Sequence, residues 1–274
     1  MNYDIKVLGK HTHNSANPAL QLYLRYIAPF QYGPLHPYKL NEKSINNGTA
    51  FFVKGVEPFA VTCAHCLDGF FERRSKEPNI FLRVGDLIIT DVESRIIDKD
   101  DELDLCSIRM NENDLSRVGS NKNFLYFMKA PKLETGATVC VIGFPGKLLK
   151  PISENQIQAG VFCLFEVIRE GNIGKGSFII EFQKDQWEMA LNQSDIELDK
   201  FDDFGGISGC PVFFQGELMP LLAGIVFEAN PYQMERDSAC RVVVRANFNS
   251  FDENGKILRG TYNKQMQCTA YSPR

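Results

Sequence analysis

The sequence predicts an all-β fold, a barrel or a sandwich, and two observations carry that expectation. Its apolar runs are short, rich in Val, Ile and Phe, and closed off by Gly, Pro, Asn and Asp. Sustained helical periodicity is scarce. In chain order the predicted strands are Ala50–Val53, Phe59–Thr62, Ile80–Val84, Leu87–Thr90, Leu105–Arg109, Thr138–Ile142, Gly160–Ile168, Ser177–Phe182, Pro211–Phe214, Leu221–Phe227 and Arg241–Ala246. Pro145-Gly146 and Asn254-Gly255 signal tight turns between them. Short helices are expected just after His65, over Asn113–Val118 and within Lys184–Asp199. Many short strands separated by turns are the pattern of a sandwich or barrel.

A chain of 274 residues suffices for one large domain or two small ones. A division falls near Met128–Gly136, a stretch with Pro131, charged residues and no apolar run. The expected organisation is an N-terminal arm over 1–45 packed on the body, a first unit over 46–130, a second over 131–252, and a C-terminal extension over 253–274.

Composition narrows the class. Hydrophobic residues at 44% and charged residues at 23% are ordinary for a soluble globular protein. The net charge of −4 and the absence of a Lys/Arg stripe argue against a nucleic-acid partner. No run approaches the roughly 18 apolar residues of a membrane span, so no membrane partner is expected. The segment Met1–Val7 is polar and mixed, without the apolar core of a secretion signal, so a cytoplasmic location is expected. The eight cysteines lie mostly inside apolar runs, such as Thr138–Ile142 around Cys140. They are expected to be reduced, small buried hydrophobes rather than disulfide partners.

Only four histidines are present: His11, His13, His36 and His65. His11-Thr12-His13 could place two rings on one strand face, but no nearby Cys or third His completes a zinc shell. His36 reads as loop. No metal or other cofactor is expected. His65 is different, because it follows a β run and opens a helix. Downstream, Asp104 stands at the head of the apolar strand Leu105–Arg109, where a buried acid needs a partner. Further on, Ser208 sits in the glycine-flanked segment Gly206-Ile207-Ser208-Gly209-Cys210-Pro211. A serine hydroxyl becomes a nucleophile at neutral pH when an imidazole takes its proton and a carboxylate holds that imidazole in one tautomer. Flanking glycines let backbone N–H groups approach a developing oxyanion.

These segments resemble the trypsin-like (chymotrypsin-fold) serine peptidases, and more closely their bacterial branch without a secretion signal. Gly48-Thr49-Ala50-Phe51-Phe52-Val53 is similar to the small-residue strand that opens the first barrel. Val61-Thr62-Cys63-Ala64-His65-Cys66 is similar to the histidine segment, and Asp104-Leu105-Cys106-Ser107-Ile108 to the aspartate strand. Val141-Ile142-Gly143-Phe144-Pro145-Gly146 resembles the turn opening the second barrel. Gly206–Val212 resembles the serine segment, and Leu222-Ala223-Gly224-Ile225-Val226 the strand after it. The resemblance covers about residues 46–250. It implies two packed six-stranded antiparallel β-barrels with the active site in the cleft between them. It also implies a serine endopeptidase acting on protein or peptide substrates.

Carried over, Ser208 is the nucleophile, His65 the general base and acid, and Asp104 the orienting carboxylate. Gly206 and Ser208 supply the oxyanion N–H donors. Asp202, six residues before Ser208, takes the floor of the primary specificity pocket, where an acid would favour Arg or Lys. Against this, Arg241 near the far pocket wall could neutralise Asp202, and Asp202 could simply belong to the solvated acidic loop Asp195–Asp203. Phe227-Glu228-Ala229 aligns with the segment that pairs with substrate by β-addition.

The chain also departs from the family. Ile207 replaces the Asp that latches a new N-terminus, so activation by N-terminal clipping is not expected. Cys66 follows His65 as in disulfide-bonded relatives, but Gly48–Phe52 opposite has no cysteine. Cys63-Ala64-His65-Cys66 taken as a metal or redox motif lacks a second ligand pair. Cys210, two past the serine, is expected to be a small filler. A catalytically silent double barrel that binds peptides is the alternative reading. An α/β-hydrolase esterase would require Gly-x-Ser-x-Gly and the reverse residue order. A cytosolic peptidase needs restraint, so control by a regulatory protein partner or by a poorly formed resting site is expected.

Overall fold

The computed structural model describes residues 4–5, 18–34, 46–128, 132–153, 156–174, 176–183, 205–215, 220–233, 240–248 and 250–259. In chain order these form β1 (Asp4–Ile5), α1 (Pro18–Leu24), β2 (Ile27–Pro34), β3 (Asn46–Lys54), β4 (Pro58–Thr62), α2 (Ala64–Lys76), β5 (Ile80–Val84), β6 (Leu87–Ile89), α3 (Val92–Arg95), β7 (Ile96–Asp100), β8 (Leu105–Arg109), α4 (Glu112–Val118) and β9 (Leu125–Tyr126). The second half follows with β10 (Thr138–Gly143), β11 (Leu149–Ser153), β12 (Gln156–Val167), β13 (Ser177–Gln183), β14 (Pro211–Phe214), β15 (Leu222–Gln233) and β16 (Cys240–Phe248). Among the described residues no helix is long and apolar enough to cross a membrane.

The strands make two sheets; β1 apart, the first is built from strands up to β9 and the second from β10 onward. The first has the order β6-β5-β2-β3-β4-β8-β7 and the second β1-β12-β10-β14-β15-β16-β13. All pairings are antiparallel except the two-residue strands β1 and β9, which add in parallel to β12 and β3. β9 takes up the edge of β3 at Val53, just beyond Phe51 where β2 stops. Each sheet holds eight described strands rather than six; without the additions β9, β1 and β11 the first has seven and the second six.

Both faces of the long strands are buried, which is why they read as near-continuous apolar runs. Alternation along β3 sends Ala50 and Phe52 into a first core with Phe30, Leu67 and Leu82, while Phe51 and Val53 face the other sheet. On β10, Val139 and Val141 fill the second core with Phe162 and Val212, while Cys140 and Ile142 point back toward Phe51. The third core, between the sheets, contains Phe51, Phe59, Ile142, Phe144, Phe213 and Ile225. A joint of this kind fixes one sheet on the other.

Every strand expected from the sequence is present, as are the helices after His65 and before Val118. The helix expected within Lys184–Asp199 lies outside the described residues. β2 comes from the segment expected to be an arm, and it is instead a paired strand inside the first sheet. Pro29 and Pro34 interrupt its apolar pattern and hide it. Lys122 secures the junction before it by donating to the Leu24 and Ile27 carbonyls at 2.8 and 2.5 Å. Burial brings the pKa of that ammonium down to about 7.

After β16 the chain returns to the first sheet. Phe251 is buried against Phe51, Phe59 and Phe127. The turn that follows puts the Gly255 carbonyl under the Ser107 hydroxyl at 2.5 Å, and the Ile257 N–H on Asp98 Oδ2 at 2.9 Å. Arg259 then spans Asp98 and Asp100 with N–O distances of 2.8–2.9 Å. The arginine hydrogen bonds hold the Asp98 carboxyl at a pKa of about 2. Residues 250–259 thus form a hook from the second half onto β7 and β8.

Candidate active site

The pairing of β4 with β8 sets Thr62 opposite Cys106. The end of β4 and the start of β8 are therefore neighbours. Cys63, Ala64 and His65 leave the first, and Asp104 precedes the second. Asp104 adopts φ +50°, in the left-handed region that only short polar side chains enter without large penalty. That turn aims both carboxylate oxygens at one residue. Oδ1 accepts the His65 backbone N–H at 2.9 Å, and Oδ2 accepts the Nδ1–H at 2.6 Å. The backbone bond also satisfies one of the orphan N–H groups in the first turn of α2, whose N-cap residue Cys63 makes no side-chain cap. One carboxylate thus fixes both the main chain and the ring of His65.

Electrostatics follow from this grip. The Asp104 hydrogen bond, with the neighbouring Cys66 thiol adding to it, raises the His65 pKa to about 10. An ordinary imidazole near 6.5 is what the sequence alone suggests. The side chain of His65 remains 53% exposed and that of Asp104 22%, so the ring faces solvent over a partly covered acid.

Ser208 lies on the other side of the joint, just before β14. Four consecutive carbonyls around it are each held. Gly205 C=O accepts from Gly146 N–H at 2.7 Å, and Ile207 C=O accepts from Cys210 N–H at 2.9 Å. Gly206 C=O accepts from the Thr49 hydroxyl at 2.9 Å, and Ser208 C=O accepts from the Thr49 N–H at 2.8 Å. A peptide is planar and trans, so fixing its carbonyl also fixes the N–H on its far edge. The Gly206 and Ser208 N–H groups belong to the peptides pinned through Gly205 and Ile207. Neither donates to another described residue.

Thr49 is the hub of this network and is fully buried. Its hydroxyl donates to Gly206 and accepts from Phe144 N–H at 3.1 Å and from the Cys210 thiol at 3.3 Å. One donor and two acceptors use all that a hydroxyl offers. Its carbonyl accepts the Thr62 hydroxyl at 2.9 Å, which links the serine loop to the strand that leads into His65. Gly206 needs to be glycine: it sits at φ +101°, and a Cβ there would lie 2.1 Å from Asn47 Nδ2. At Gly48 a Cβ would lie 2.7 Å from Cys66 Sγ and 3.3 Å from the Ser208 carbonyl oxygen. The Cys66 thiol therefore packs on bare backbone, where a disulfide-bonded relative would need a second sulfur.

Cys63, Cys66, Cys106, Cys140, Cys163 and Cys210 are free and buried. Cys210 fills the space beside Gly143, where a Cβ would meet its sulfur. Cys63 is fully buried beside the dyad and donates its thiol to Val226 C=O at 3.2 Å. Phe227, Glu228 and Ala229 lie on β15 past its last pairing with β14, at Ile225. There Glu228 and Ala229 continue to pair with β16. Arg241 is on β16, opposite Gln183 and Tyr232. Asp202, His11, His13 and His36 lie outside the described residues. Thr49 and Asn47 are the site-building residues that sequence reasoning did not single out. The small-residue run Gly48-Thr49-Ala50 was their only signal.

No family model matches the chain. No curated protein matches it. Among solved structures it is similar to a thermostable serine protease, AL20, from an extremophilic microorganism. That likeness has 11% identity and a TM-score of 0.43, over 82% of this chain and 91% of the other.

Proposed function

We propose that the chain is a serine endopeptidase of the trypsin-like type. The observation that carries this reading is the two-oxygen grip of Asp104 on His65, set across a joint from a serine loop whose four carbonyls are tied down. In this reading the Ser208 hydroxyl attacks a peptide carbonyl, and His65 takes its proton and returns it to the leaving amine. Asp104 keeps the imidazole in one tautomer and stabilises its protonated form. The Gly206 and Ser208 N–H groups receive the oxyanion. Substrate backbone adds along Phe227–Ala229, and Asp202 with Arg241 sets the side-chain preference. A His65 pKa of about 10 keeps the base protonated near neutrality, which favours a restrained resting enzyme awaiting a protein partner over a constitutively active one.

The test is labelling with a fluorophosphonate followed by mass spectrometry, alongside hydrolysis of a peptide library. One adduct on Ser208 is expected, absent in Ser208→Ala and nearly absent in His65→Ala, because the two residues act as a unit. Full peptidase activity in Ser208→Ala would reject the reading. Peptide binding without labelling or turnover at any pH would favour the silent double barrel.

A further inference from the structure

The geometry points to a second use of the His65–Asp104 pair: together with Cys63 it forms a binding site for a thiophilic divalent cation of the zinc class. The Cys63 sulfur, a ring nitrogen of His65 and a carboxylate oxygen of Asp104 all lie within 4.8 Å of one another. The sequence motif Cys63-Ala64-His65-Cys66 supplies two donors and lacks the rest of a shell. The fold adds a third from Asp104, brought alongside by the pairing of Thr62 with Cys106. Sulfur, imidazole and carboxylate are the donor types zinc takes, and three protein ligands with one open position is a common zinc arrangement.

The distances suit it. Tetrahedral zinc, with bonds of about 2.0–2.3 Å, spaces its donors at roughly 3.3–3.6 Å. Here the longest separation is within 4.8 Å, and the Nδ1–Oδ2 contact is 2.6 Å. Small side-chain rotations of about an ångström close the first and open the second. All three donors hang from the ends of two paired strands, so little backbone has to be ordered. Access is from the solvent side, past a ring that is 53% exposed.

Once deprotonated, the Cys63 thiolate and the Asp104 carboxylate carry two negative charges, which match a divalent ion. Binding expels the Cys63 thiol proton and the His65 Nδ1 proton to solvent, two in all. Val226 C=O loses the thiol but still accepts Gly209 N–H at 2.8 Å, so no carbonyl is orphaned. With Nδ1 on the metal, the Asp104 hydrogen bond that orients the ring is gone. The inhibitory consequence rests on the serine-peptidase reading, whereas the binding does not.

The test uses cobalt(II) as a spectroscopic substitute, added to full-length Ser208→Ala protein so that no turnover is involved. One equivalent should give a near-ultraviolet thiolate-to-cobalt band with intense visible d–d bands, both displaced by zinc(II). The charge-transfer band should vanish in Cys63→Ala and persist in Cys66→Ala. His65→Gln should weaken binding by on the order of a hundredfold or more, and it checks the site if Cys63→Ala folds poorly. In active protein, zinc should inhibit and a chelator should restore hydrolysis. Absence of the band at millimolar cobalt, or a band that survives Cys63→Ala, would overturn the site whether or not the chain is a peptidase.

Discussion

The Thr49 N–H donates to the Ser208 carbonyl at 2.8 Å, so the residue proposed as nucleophile is held by a strand of the opposite sheet. The Thr49 hydroxyl holds the Gly206 carbonyl as well. One residue therefore couples the strand next to His65 with the loop that carries the serine.

Removing that hydroxyl tests the coupling. Thr49→Val keeps the shape but removes the hydroxyl that donates to the Gly206 carbonyl, a cost of about 2 kcal/mol. The expected result is a thermal midpoint lower by several degrees and a kcat reduced by about a hundredfold with KM little changed. Thr49→Ser should recover most of both. Steady-state kinetics on the two variants decide; a Thr49→Val enzyme that loses stability but keeps kcat makes the residue structural only.

Gly206→Ala is expected to be worse than its size suggests. The added methyl would meet Asn47 Nδ2 and the Phe144 carbonyl, at a φ of +101° that alanine resists. The loop must shift, taking the Gly206 N–H with it. Fluorophosphonate labelling should fall by about two orders of magnitude while circular dichroism stays that of the parent. Normal labelling would show that this N–H is not an oxyanion donor.

The pH profile follows from the raised His65 pKa, about 10 against an ordinary 6.5. A raised folded value means the ring keeps its proton through neutrality, so kcat/KM should climb on the alkaline side rather than level off by pH 7. Among the described residues, Asp104, Cys63 and Cys66 are the titratable groups facing the ring. The stability contributed by the His65–Asp104 pair should be complete below about pH 6.5 and fade as pH rises toward 10. Asp104→Asn should move the rising limb down and lower kcat by roughly 10⁴. A wild-type profile already flat above pH 7, with chemistry limiting, would refute the raised His65 value.

The C-terminal hook gives two graded predictions. Phe251→Ala removes a buried ring and should cost about 3–5 kcal/mol in urea unfolding. Arg259→Ala breaks an exposed ion-pair cluster and should cost much less than the loss of the ring. Asp98 has a folded pKa lowered to about 2. Its contribution is present above pH 4 or so and is lost as pH falls toward 2. Arg259→Ala should therefore unfold at a higher pH in acid titration; an unchanged acid midpoint would leave the pair without energetic weight.

Local pattern made much of this visible. Strands buried on both faces announce themselves as Val, Ile and Phe runs, and His65, Asp104 and Ser208 each stand at the end of such a run. What stayed hidden depends on distance along the chain or on a misleading local signal. β2 is disguised by its prolines. β7 reads as a solvated acidic stretch because the partner of Asp98 and Asp100, Arg259, arrives from the far end of the sequence. Thr49 looks like one small residue in a strand, since nothing nearby reveals that its hydroxyl meets Gly206 and Cys210. Cys63 looks like core filler until the turn at Asp104 is seen beside it.

The hook also orders events in time. Ribosomes release the first sheet well before residues 250–259, yet that sheet lacks Phe251 in its core and Arg259 on β7 until they are made. A nascent chain long enough to contain His65, Asp104 and even Ser208 still has an unfastened β7–β8 edge, and β8 begins beside Asp104. The strand that begins beside Asp104 therefore receives its last fastening only after the whole second sheet has been synthesised.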